Sequence, residues 1–401
     1  MRRATTIRAR VGGLFALLGI AAAACGPFAN EDKVEVGDDG KFVAVEQAAA
    51  SPREDTASAL DNPTAEAFPT PLIDPNEVLA GGPPPDGIPP IDEPKFVRAS
   101  SATFLEDDEP VLAIELDGEA RAYPIQIMTW HEIVNDTIAG RPVTVSYCPL
   151  CNSAIAYDRR LGDRILDFGT SGMLYQSGLV MYDRQTESLW SHFTGEAVIG
   201  VLTGEELDLI PMSTVSWSDW LDANADGLVL SRDTGHRRSY GENPYPGYDD
   251  VDDPPFAFEG EVDGRLAAKE RVVGIRGDDD PVAIRTADLF EARVVEIEVD
   301  GHPVVVWLEP GTASALDESS VDGGRDVGAT GVFDPTVDGR PLTFEAAEDG
   351  FRDTETGSTW DVLGNATDGP LTGTKLTPIE HVDTFWFAWA AFLPNTRIAG
   401  I

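Results

Sequence analysis

The chain is poor in cysteine, with three in 401 residues, and only Cys148 and Cys151 stand close enough to act as a pair. No second Cys-x-x-Cys exists, so a four-cysteine zinc site is excluded. Cationic residues are also few: 29 Lys and Arg face 70 Asp and Glu, a formal net charge of −41 with a pI near 4.2. Such a surface repels phosphate backbones and anionic lipid headgroups alike. Nucleic acid is excluded as a partner, and any hold on a membrane must come from something other than charge. The acidic residues are scattered, with local runs such as Asp278-Asp279-Asp280, and read as a salt-tolerant or extracellular surface. Gly-x-Ser-x-Gly, P-loop, dinucleotide and His-Glu-x-x-His signatures are all missing.

The third cysteine, Cys25, closes an apolar stretch from Val11 to Ala24 that follows Arg2, Arg3, Arg8 and Arg10. This pattern reads as a secretory signal over residues 1–24, too short to span a bilayer as a mature helix. Ala22-Ala23-Ala24-Cys25 resembles a bacterial lipobox, with Ala22 where leucine is preferred. Cleavage before Cys25 and acylation of its thiol, with palmitate among the acyl chains, would leave a lipoprotein on the outer, extracytoplasmic face of the cell membrane. An ordinary signal peptide cut near Ala24 is the alternative. Arg2-Arg3 lacks the flanking residues of a twin-arginine signal.

Residues 25–100 are rich in Pro, Ala, Asp and Glu, marked by Gly81-Gly82-Pro83-Pro84-Pro85 and Ile88-Pro89-Pro90. No apolar period is sustained there, and the segment reads as a lipid-anchored tether. Beyond it the chain repeats. Val111 to Tyr147 aligns without a gap to Val272 to Leu308, and Met181 to Trp190 aligns to Phe351 to Trp360. Trp217 and Trp220 then fall opposite Trp386 and Trp389. Self-similarity at so long a period predicts two copies of one domain, over 101–235 and 271–401, joined by a connector loop over 236–270.

Each copy reads mostly as strands. Val111 to Leu116 and Glu119 to Tyr123 flank Asp117-Gly118, a hairpin turn signal, and Val143 to Tyr147, Ala154 to Tyr157 and Leu179 to Tyr182 are short strand-like runs. Ser216 to Asn224 predicts a helix with Ser216 or Ser218 as cap, and its counterpart is Phe385 to Phe392. The expected fold is mainly β, in the α+β class: two β-rich copies, each with one short helix, packed as a pseudo-dimer.

The repeat separates scaffold from site. Asp183, Thr186, Ser188 and Trp190 recur as Asp353, Thr356, Ser358 and Trp360, which predicts a hydrogen-bonded turn and a core tryptophan. Cys148 and Cys151, by contrast, fall opposite Glu309 and Thr312, and Trp130-His131-Glu132 opposite Glu291-Ala292-Arg293. Any chemistry is expected in the first copy, with the second read as a degenerate partner.

Three readings of the cysteine pair stay open. A turn aiming two thiolates at one ion needs further ligands; His131 and His192 would complete a set suited to zinc or copper. In an exported protein the two thiols also suit a reducible disulfide, although Ser153 to Tyr157 reads as strand and not as the helix of a thioredoxin-like site. The third reading is an inert staple. Asp222, Asn224, Asp226 and Asp233 follow the spacing of a calcium loop, but no helix follows Asp233 and calcium is disfavoured. His236 falls in a long aromatic connector, and His381 reads as a packing histidine.

The runs Trp130-His131-Glu132-Ile133-Val134-Asn135-Asp136, Ser146-Tyr147-Cys148-Pro149-Leu150-Cys151-Asn152-Ser153-Ala154, Met181-Tyr182-Asp183-Arg184-Gln185-Thr186, Ser188-Leu189-Trp190 and Phe385-Trp386-Phe387-Ala388-Trp389 resemble the domain-of-unknown-function family three-one-seven-nine. The likeness runs from about Val97 to the C-terminus. After the second cysteine, where this chain has Asn152, that family has glycine or asparagine. The resemblance implies an exported bacterial or archaeal setting and one domain filling the chain; it implies no reaction. Together these features predict a cell-surface lipoprotein that binds a metal ion or uses a redox-active cysteine pair, with a non-catalytic binding or structural lipoprotein as the alternative. Whether it is an enzyme, and which protein or small molecule it meets, the sequence leaves open.

Overall fold

The computed structural model describes residues 42–400, so the segment expected to be a signal and the expected lipidation at Cys25 lie outside the described residues. The described chain is mainly β, in sheets of two to five strands, with four short α-helices. No helix among the described residues is long and apolar enough to cross a membrane.

The sheets fall into two series with one connectivity. In the first, a sheet runs Ser213–Ser216, Pro110–Leu116, Glu119–Pro124, Leu228–Leu230, Phe96–Arg98; a second runs Leu209–Ile210, Ser153–Asp158, Arg141–Cys148, Ile133–Ile138. The third contains Phe168–Tyr175, Gly178–Asp183, Leu189–Ser191 and Ala197–Ile199. In the later series, His381–Phe385, Arg271–Ile275, Val282–Arg285 and Arg397–Ile398 form one sheet, and Thr377–Pro378, Ala329–Asp334, His302–Glu309 and Val294–Val299 another. Local chemistry sets the details. Asp117 and Gly118 both take positive φ, 49° and 80°, as a type I′ hairpin turn requires. Ser216 caps α2 (Trp217–Ala223) by accepting from Asp219 N.

The expectation of one helix per copy is corrected. Besides α2 and α4 (Trp386–Phe392), each series has an earlier helix, α1 (Ile125–His131) and α3 (Thr286–Ala292). Neither has a side-chain N-cap, and six of the seven α1 residues are buried. A helix wrapped on all sides shows no polar face, and hence no readable period. Each ends on a non-glycine residue at positive φ, Glu132 at 60° and Arg293 at 64°.

Residues 42–100, expected to be a tether, instead lie along the first series. Val43 N bonds Phe96 O at 2.8 Å, Leu79–Ala80 pairs with Met173 and Leu174, and Ile91 bridges Val134. Ala59, Ile91 and Phe96 are buried, and Arg184 reaches both Asp86 and Asp92. The contacts are spaced by the surface beneath the strap and by no period of its own, which is why the sequence pattern reads as structureless.

Trp190 and Trp360 sit in separate apolar clusters, both fully buried. Asp183 holds its turn by accepting from Thr186 N at 2.6 Å, Ser188 N at 3.2 Å and Trp190 Nε1 at 2.9 Å; Asp353 does the same with Thr356, Ser358 and Trp360 at 2.6, 3.1 and 3.0 Å.

Candidate functional site

Arg141–Cys148 and Ser153–Asp158 are adjacent antiparallel strands, and the pairing of Cys148 with Ser153 closes the turn that holds Pro149, Leu150, Cys151 and Asn152. Asn152 takes φ 48°, a left-handed conformation that asparagine and glycine tolerate best. Strand alternation puts Ser146 on the same face as Cys148. Cys151 O is fastened from the later series, accepting from Thr384 Oγ1 at 2.8 Å and Phe385 N at 3.0 Å.

Both cysteines are free thiols and buried, Cys148 2 % and Cys151 0 % exposed. Burial pushes the Cys148 thiol well above its usual range, and its hydrogen bond with Cys151 adds to this. Cys151 Sγ lies 2.9 Å from Ser153 Oγ, which lies 2.8 Å from His192 Nε2; His192 Nδ1 is 2.7 Å from Ser146 Oγ. The directions follow from the one group with no choice. The Ile155 carbonyl can only accept, so the Ser146 hydroxyl donates to it at 3.0 Å and receives from His192 Nδ1. Nε2 is then the acceptor, the Ser153 hydroxyl donates to it, and the Cys151 thiol donates to Ser153 Oγ. Burial lowers His192 to about 4, with Arg276 adding to the effect against the pull of Cys148, so the imidazole is neutral at pH 7 as this tautomer requires. The arrangement can carry the Cys151 proton to His192 through one hydroxyl.

The four expected ligands do not assemble. His131, the last residue of α1, donates from Nδ1 to Pro89 O at 2.6 Å and meets Tyr240 OH through Nε2 at 2.7 Å, with the His236 ring 5.5 Å away. Both nitrogens of His192 are engaged by serine hydroxyls. Among the described residues no three His, Cys, Asp or Glu side chains are grouped to hold a metal ion. The calcium-loop residues are likewise dispersed: Asp222 is within α2, Asn224 caps it, and Asp233 pairs with Lys95 at 3.1 Å. His381 lies on the strand His381–Phe385 with Nδ1 3.0 Å from Ile379 O.

What the motif reading missed surrounds the thiols. Glu132 is 8 % exposed, and burial raises its carboxyl well above the ordinary range, with Cys148 adding to the shift. The connector contributes Tyr245 and Tyr248, and Tyr248 OH donates to Leu150 O at 2.9 Å, closing over the turn. Ser146 and Ser153 were legible from strand alternation around the motif; the connector tyrosines, about a hundred residues away, had no local signal.

Residues 85–396 match the model of a family described as a protein of unknown function, DUF3179. No curated protein and no solved structure matches the chain.

Proposed function

The chain belongs to the DUF3179 family, and from that membership and the geometry of the cysteine turn we propose that it is a lipid-anchored, extracytoplasmic protein whose Cys148 and Cys151 form a dithiol–disulfide redox centre. The observation that carries this reading is the directed relay from Cys151 through Ser153 to the neutral His192. Oxidation joins the two sulfurs, breaks two S–H bonds and passes two electrons and two protons to an acceptor. Burial raises the Cys148 thiol, and a base one hydroxyl from Cys151 gives the pair a route to the thiolate that reacts. The anchor at Cys25 is part of this reading and rests on the sequence alone. So does the pseudo-dimer: the two sheet series are two copies, of which the later has kept the scaffold and lost the thiols.

The test is a redox titration of the full-length protein in detergent, poised with reduced and oxidised dithiothreitol and read by thiol alkylation and intact mass. A reversible loss of two thiols at Cys148 and Cys151 is expected. A pair that stays reduced across the whole range, or one that cannot be reopened, removes the redox assignment and leaves a structural turn.

A further inference from the structure

Next to the cysteine turn lies a cavity of about 380 Å³, within the size range of small-molecule sites. Its wall includes Leu150, Glu132, Met173, Leu179, Tyr245 and Tyr248, and it contains no lysine, arginine, histidine or aspartate. An anion would find no counter-charge there. Glu132 is the one carboxyl of the wall, and it has no hydrogen-bond partner among the described residues. The carboxyl is not sealed off from solvent and opens onto the cavity, where a ligand can supply its hydrogen-bond partner. The cavity borders the cysteine turn: Glu132, Tyr245 and Tyr248 all stand within electrostatic reach of Cys148, and the wall residue Leu150 lies between the two cysteines.

Phe256 is one of four large apolar side chains exposed among the described residues. Phe256 is itself in the cavity wall.

Resting on the redox reading above, we propose that this cavity binds a lipid-soluble quinone as the electron acceptor of the Cys148–Cys151 pair, with Glu132 as the hydrogen-bonding group to one quinone oxygen. An uncharged ring suits the tyrosine-lined wall, and an apolar tail suits the exposed Phe256 at its edge. Burial and the neighbouring Cys148 raise the Glu132 carboxyl, which favours its protonated form, a donor that a carbonyl oxygen can accept. The chemistry closes without another reactant. Two S–H bonds break and one S–S bond forms, while the two electrons and two protons turn the two quinone carbonyls into the two hydroxyls of the quinol.

The experiment uses the reduced full-length protein in detergent, without oxygen, and decylubiquinone as the probe. Quinol is followed by absorbance and the thiols by alkylation. One quinol per protein is expected, with closure of the pair, and none from Cys148→Ser. Met173→Trp, which fills the cavity, is expected to slow quinone reduction at least tenfold while leaving oxidation by oxidised dithiothreitol unchanged. Glu132→Leu should slow it to a similar degree, and Glu132→Gln, which keeps a donor, should restore most of the rate. If dithiothreitol closes the pair and the quinone does not, or if Met173→Trp reduces quinone as fast as wild type, this inference is overturned and the redox centre stands. If neither oxidant closes the pair, the redox reading beneath it is overturned too.

Discussion

Glu132 stands beside Cys148 at the step of the fold where, in the later series, Arg293 and Glu309 form an ion pair at 2.6 Å. The backbone is alike in both places: Tyr147 N bonds Glu132 O at 2.8 Å and Leu308 N bonds Arg293 O at 2.9 Å. One frame therefore holds a carboxyl against a thiol in one series and a salt bridge in the other. This predicts that Glu132→Arg with Cys148→Glu folds with a melting temperature near that of wild type. Either single change leaves a buried charge unpaired and costs about 3–5 kcal/mol. Equal losses for the double and the singles, measured by thermal denaturation, would show that the two frames are not interchangeable.

The relay makes a kinetic prediction. Ser153→Ala cuts the path from Cys151 to His192 without adding bulk, and should slow oxidation of the pair by oxidised dithiothreitol by roughly 100-fold, the scale of one positioned proton-transfer group. Thr should restore much of the rate, because it keeps the hydroxyl. A Ser153→Ala protein that oxidises at the wild-type rate would mean that His192 is not the base.

His192 also sets a pH dependence. The folded protein holds it neutral down to about 4, while an unfolded histidine takes up its proton near 6.5. The unfolded state therefore binds more protons between those values. The contribution is whole above pH 6.5 and falls away toward pH 4, by roughly 3 kcal/mol at 1.36 kcal/mol per unit. His131, also lowered to about 4, acts in the same direction. Urea unfolding at pH 7.5 and pH 4.5 should show a smaller acid loss in His192→Gln than in wild type; identical losses would refute the buried neutral imidazole.

Trp190 and Trp360 should prove equally structural. Each is fully buried and donates to the carboxylate of its own turn, Asp183 or Asp353. Replacement by alanine should cost about 3–5 kcal/mol at either position. A change below about 1 kcal/mol in denaturant titration at either site would contradict the packing described.

The anchor has its own test. If the proposed anchor is right, Cys25→Ser should release the protein from the membrane fraction, because Cys25 follows the apolar run from Val11 to Ala24 and lies outside the paired thiols. A variant that still sediments with membranes, with the signal removed, would count against acylation at that residue.

Interactions that close within a few residues could be read from the chain. Asp117-Gly118 announced its hairpin, Ser216 its helix cap and Asp183 its turn with Trp190, because each hydrogen bond runs between neighbours whose chemistry allows little else. The mainly β character, and the step from strand to turn at Cys148, followed from the same short-range rules. Tertiary packing decided the rest. The strap over residues 42–100 has no period of its own, α1 has no polar face, and His131 was turned to Pro89 and Tyr240, 42 and 109 residues away. His192 met the cysteine turn through Ser153 across 39 residues, and Tyr248 closed on Leu150 across 98. Contacts at such separations depend on how whole sheets stack and which surfaces exclude water, and that is a property of the assembled core rather than of any stretch of sequence.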